Sequence, residues 1–110
     1  MTQTVSVDTL PYIRMVDLRW TWAPEKARKN LEEHKVSFEL AERALGDPLC
    51  ISVPDPYPNE ERWRTLGSPS TDGILVLYVV HTWPEDESGA GRIISARRAE
   101  SHERTDYEER

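Results

Sequence analysis

A chain of 110 residues suits one domain, and its formal charge of −6 comes from 20 acidic side chains against 14 Lys plus Arg. That balance excludes a broadly basic surface that coats nucleic acid, but it permits a local basic patch on an acidic body, or a basic partner. One cysteine, Cys50, forms no internal disulfide, and the longest apolar run, Ile74 to Val80, is too short to span a bilayer, so a cytoplasmic protein without a membrane partner is expected.

Residues 1–14 show no clear period and are interrupted by Pro11, which predicts a loosely attached arm before a single domain over 15–110. No charged start with an apolar block marks a signal peptide. "MVDLRW", Met15 to Trp20, alternates apolar and polar as a strand does. "TWAPEKARKNLEEH" then predicts a helix. Pro24 suits the first turn, where a missing N–H costs nothing, and Glu25 favours the positive end of the dipole. Ala23, Ala27 and Leu31 fall four apart as an apolar column, with Lys26, Asn30 and His34 in the column beside it.

A second helix follows, with Ser37 as its N-cap and Phe38, Ala41 and Leu45 as its buried stripe, until "GDP" at Gly46–Pro48 stops it. "LCISV" is a short strand closed by the proline-rich "PDPYP". "EERWRTLG", Glu60 to Gly67, alternates, with Arg62, Arg64 and Leu66 on one face and Glu61, Trp63 and Thr65 on the other. "ILVLYVVHT" is apolar on both faces and predicts the central strand. "RIISAR" is the last strand, and the last helix is expected from about Arg98. The order strand, two helices, four strands, helix predicts an α+β domain: a small antiparallel sheet with helices packed on one face.

Ordinary enzyme signatures are absent. His34, His81 and His102 have no zinc-site spacing, no glycine-rich phosphate loop is present, and Ser95 is in no nucleophile elbow, so neither a metal nor a cofactor is expected. An arginine constellation remains. Arg62 and Arg64 share a strand face, and Arg92 and Arg97 flank "IISA". Strand-borne guanidiniums beside a histidine suit a phosphate, while the plainer alternative pairs them with surface carboxylates. In the last helix Ala99, Glu103 and Tyr107 form one stripe, so Glu103 should face the body and take Arg97 or Arg92 as its partner. His34 closes the first helix, where a cation favours the dipole. His81 follows the central strand, is expected to point out of its end, and is the better placed acid or base.

"W…KARKNLEEHKVSFELA", "DP", "ER…G", "VVHT" and "RIISARRAESHERTDY" resemble the BrnT family of type II toxin–antitoxin toxins, over about Asp17 to Glu108. The resemblance implies a RelE-like fold and an RNA-cleaving toxin that inhibits translation. It also implies neutralisation by a BrnA-type ribbon-helix-helix antitoxin, with DNA bound only through that partner. For metal-independent RNA cleavage, Arg62, Arg64 and Arg97 are the candidates for the phosphate and His81 or Glu103 for proton transfer, with Lys26, His34 and Arg92 as flanking contacts. The alternative is a non-catalytic toxin-like module that serves a DNA-binding repressor complex. Two positions depart from the family pattern: Ala23 where an acidic helix cap is usual, and Lys35 where glycine is usual.

Overall fold

The computed structural model describes residues 19–84 and 89–110. The arm expected over 1–14 and the part of the first strand before Arg19 lie outside them. In chain order the elements are β1 (Trp20–Thr21), α1 (Pro24–His34), α2 (Phe38–Leu45), β2 (Ile51–Asp55), β3 (Arg62–Gly67), β4 (Leu77–His81), β5 (Gly91–Arg98) and α3 (Ser101–Glu108). One five-stranded sheet has the order β1-β5-β4-β3-β2. The strand expected at the centre is central, with β3 and β5 antiparallel on either side. β1 pairs with β5 in parallel, which makes the sheet mixed.

The core lies between one sheet face and the first two helices. Phe38, Ala41 and Ala44 of α2 meet Leu77 and Val79 of β4 and Ile93 and Ala96 of β5, all at 2% exposure or less. Ser37 caps α2 as expected, accepting from the Leu40 N–H at 3.1 Å. Gly67 leaves no room for a Cβ against the Ala44 carbonyl, so β3 approaches α2 closely.

Helix α1 departs from its apolar pattern. Ala27 packs on the core, but Leu31 is 49% exposed and the buried residue is Asn30. Its amide donates to the Val36 carbonyl at 2.9 Å and to the Ala96 carbonyl at 2.8 Å, and accepts from the Ala96 N–H at 3.1 Å. Asn30 thus pairs with β5 as a neighbouring strand would, satisfying polar groups that a leucine there would strand. Ala23 sits at the N-cap with no side-chain hydrogen bond, and Lys35 ends the helix in the left-handed region at φ 60°. Both departures from the family pattern therefore fall on capping positions.

Candidate functional site

Alternation along β4 divides the sheet into two faces. Leu77, Val79 and His81 point into the core, so Tyr78 and Val80 point away from it. Cross-strand register then fixes the neighbours on the outward face. Arg64 lies opposite Val80, and Val80 opposite Ser95; Leu66 lies opposite Tyr78, and Tyr78 opposite Arg97. Asp55 opposite Arg62 and Val53 opposite Arg64 extend these rows to the edge strand.

A β-bulge decides the rest. His81 pairs with Ile93 while Val80 pairs with Ser95, so Ile94 is the extra residue. Strict alternation expects Arg97 to share a face with Ile93. The bulge instead sends Ile93 into the core, at 1% exposure, and leaves Arg97 outward. It also restores Arg92 to the Arg97 side, five residues apart, where plain alternation would oppose them. Arg92 reaches Glu60 at 2.7 Å, and Glu60 also binds Arg62 at 3.0 Å. So Arg62 and Arg64 of β3 and Arg92 and Arg97 of β5 share one face, on the two strands that flank β4.

Each arginine has a different attachment. Arg97 holds Glu103 in a two-pronged pair, Nη1 to Oε1 at 2.8 Å and Nη2 to Oε2 at 2.9 Å, and lies 4.0 Å over the Tyr78 ring. Glu103 Oε1 also accepts the Glu100 N–H at 2.8 Å. The Arg97 pairing holds the Glu103 carboxyl below its ordinary value against the opposing effect of burial, and Glu103 in turn raises Arg97. Arg62 lies 3.7 Å over the Tyr57 ring, and its hydrogen bond with Glu60 holds that carboxyl low. Arg64 is held by longer contacts, its Nη2 donating to the Pro54 carbonyl at 3.3 Å. Its Nε is 3.4 Å from Asp55 Oδ1, too poorly aligned to bond, and is the one buried side-chain polar atom without a hydrogen bond among the described residues. Arg98 is exposed and belongs to β5; the last helix starts only at Ser101, three residues later than expected.

Helix α3 closes this face at one end. Tyr107 donates to Asp47 Oδ2 at 2.5 Å, and Asp47 also accepts the N–H groups of Ser68 and Leu49. Burial and the Asp47 hydrogen bond push the Tyr107 hydroxyl up to about 12. Between α3 and the sheet lies a groove of about 250 Å³ lined by Arg64, Leu66, Tyr78, His102 and Glu103 among others. His102 is exposed, with its Nε2 4.0 Å from Glu103 Oε2. Tyr78 and His102 carried no site signal in the sequence. Tyr78 looked like one apolar residue of a core strand, and His102 like a surface histidine; strand register and the α3 anchor place both.

Three expected contributors lie elsewhere. His81 does not point out of its strand end: it is 0% exposed, on the core face. Its Nδ1–H donates to the Thr82 carbonyl at 3.1 Å, since a carbonyl only accepts, so Nε2 accepts from the Thr65 hydroxyl at 2.6 Å. Thr65 in turn accepts from Ser52 at 2.6 Å. Trp20 and Trp83 stack edge-on against the ring, and burial holds the imidazole below its ordinary value. Lys26 and His34 are exposed on α1, which packs over the opposite face of the sheet.

The fold and site define a small α+β protein with an arginine-bearing open sheet face, one end of which is closed by a carboxylate-anchored helix. The profile of the BrnT family, described as "Ribonuclease toxin, BrnT, of type II toxin-antitoxin system", matches residues 22–103, and the chain belongs to that family. Among solved structures, the 1.1 Å crystal structure of the Brucella abortus ribonuclease toxin BrnT superimposes with a TM-score of 0.53 at 22% identity, over 76% of this chain and 99% of that one. The likeness extends to the α+β architecture. No curated protein matches the chain in sequence. Family membership brings an antitoxin partner as the general expectation, and no described helix is long and apolar enough to cross a membrane.

Proposed function

We propose that this protein is a metal-independent endoribonuclease that cleaves RNA on its open sheet face, inhibits translation in the cytoplasm, and is neutralised by a BrnA-type ribbon-helix-helix antitoxin through which alone it meets DNA. The observation that carries the reading is that Arg62, Arg64, Arg92 and Arg97 share that face, with Arg64 and His102 lining one groove on it. Cleavage without a metal uses the ribose 2′-hydroxyl. A base removes its proton, O2′ bonds to phosphorus, the P–O5′ bond breaks, and the departing 5′-oxygen takes a proton, leaving a 2′,3′-cyclic phosphate.

Arg64 and Arg62 bind the non-bridging oxygens through their guanidiniums and stabilise the charge that grows on them. Arg97 positions rather than binds: its guanidinium is held by Glu103 and Tyr78, and it fixes α3 and with it His102. His102 is the proton-transfer group the geometry favours, since imidazole can both take and return a proton. Glu103 is the weaker candidate because its two oxygens already accept three N–H groups. His81, Lys26 and His34 take no direct part.

Incubating the purified protein with single-stranded RNA in excess chelator tests this. Cleavage with 2′,3′-cyclic phosphate ends, lost in His102→Ala without loss of the fold, is the expected result. RNA left intact by folded protein favours the non-catalytic binding module.

A further inference from the structure

A cavity of about 960 Å³ lies at the sheet end where β3 begins and β4 finishes. Its walls combine two kinds of chemistry. Trp63 and Trp83 provide half-buried indoles with centroids 6.2 Å apart. Glu60, Glu61 and Arg92 provide charge on the same wall system. Arg92 is shared with the proposed cleavage site, because Glu60 ties it to Arg62. The cavity therefore adjoins the arginine-bearing face through Glu60 and Arg92.

The two carboxylates are not equivalent. Glu60 is occupied by Arg62 and Arg92. Glu61 is exposed and has no ion pair or side-chain hydrogen bond among the described residues. Arg92 keeps part of its guanidinium open, its side chain being 48% exposed. An aromatic wall takes the flat face of any base. A free carboxylate beside it selects two adjacent N–H donors, which guanine alone offers, at N1 and N2. A guanidinium selects the O6 and N7 acceptors on guanine's other edge. Adenine would set its N6 amino group against Arg92, and the pyrimidines present no such second edge.

We infer that this cavity is a guanine-binding subsite that positions single-stranded RNA, with Trp63 and Trp83 stacking the base, Glu61 reading N1–H and N2–H, and Arg92 reading O6 and N7. The inference rests on the ribonuclease reading for its ligand class. It gives the toxin a base preference at one nucleotide beside the scissile phosphate, although the arginine face carries none.

Titrating the full chain with guanosine, adenosine, cytidine and uridine 5′-monophosphates, and following tryptophan fluorescence, tests the subsite without requiring turnover. Guanosine monophosphate should bind about tenfold more tightly than the others. Glu61→Gln, a surface change, should erase that preference while melting like the parent, and Trp63→Leu should weaken all four nucleotides. Equal binding of the four, no binding at millimolar concentration, or preserved discrimination in Glu61→Gln overturns the assignment. Sequencing the ends of cleaved random RNA separates the two proposals. Cleavage with no guanine at a fixed position removes the subsite and leaves the ribonuclease. Glu61-dependent guanosine binding without any RNA cleavage removes the ribonuclease and leaves the subsite.

Discussion

Replacing Arg97 by alanine should unfold more of this protein than any other single arginine substitution. The change deletes two charged hydrogen bonds, of 2.8 and 2.9 Å, and the stacking on Tyr78. It leaves Glu103, whose side chain is 11% exposed, with only the Glu100 N–H. Breaking a fully buried pair costs about 3–5 kcal/mol. Arg97 is 31% exposed, so water already screens part of the interaction, and about 2–3 kcal/mol is the expected loss. For a domain of this size that lowers Tm by about 10 °C. Glu103→Ala removes the stranded charge together with the pair and should cost less, about 1–2 kcal/mol, with a coupling of similar size in the double variant. Arg98→Ala, one residue along and exposed, should stay within about 0.5 kcal/mol of the parent. Urea unfolding followed by tryptophan fluorescence measures all four. Because Glu103 has its folded value depressed, its contribution is complete above its ordinary value of 4.5 and is lost as pH falls through the folded value. The Arg97→Ala deficit should therefore shrink in acid. A deficit under about 0.5 kcal/mol at neutral pH, or one unchanged by acid, refutes the anchoring argument.

Asn30→Leu should destabilise by about 2–4 kcal/mol, since it leaves the Ala96 N–H and two carbonyls buried without partners, and chemical denaturation is the check. Lys35→Gly should stabilise by about 1 kcal/mol by relieving the positive φ, visible as a higher Tm; no gain would mean the contact between Lys35 Nζ and the Glu32 carbonyl offsets the strain. Burial holds His81 below its ordinary value of 6.5, so stability falls as pH drops below that value, by up to about 1.4 kcal/mol per pH unit. Ring-carbon shifts of His81 by NMR check this, and a midpoint at or above 6.5 would contradict the buried, uncharged ring.

Much of the fold was legible because local patterns and tertiary packing agree. The Ser37 cap, the Phe38–Ala41 stripe, the central strand and the Glu103–Tyr107 stripe each follow from spacing that the packing uses unchanged. Two things were not legible. The bulge at Ile94 adds one residue to β5 and inverts every face before it, and nothing in "RIISAR" announces it. Its consequence falls on the candidate site: it brings Arg92 and Arg97 to one side. The second is the inward face of α1, where periodicity favoured Leu31 and a polar residue won. Asn30 outcompetes because it can replace the hydrogen bonds of a missing neighbouring strand, whereas an apolar side chain would leave them unmade. His81 misled for a related reason: the last position of a strand looks accessible, but Trp20, Trp83 and Thr65 come from distant segments to enclose it.

The claim that the open sheet face cleaves RNA is tested most directly by Arg64→Ala, because Arg64 lines the groove with His102 and its structural ties are long, at 3.3 and 3.4 Å. Its RNA-cleavage rate and its melting temperature should be measured on the same preparation, in the presence of a chelator. The account predicts a rate about 100-fold or more below the parent, as expected when a transition-state donor is removed, with a melting temperature within a few degrees of it. A variant that cleaves at the parental rate while folded would contradict the account and move the chemistry off this face.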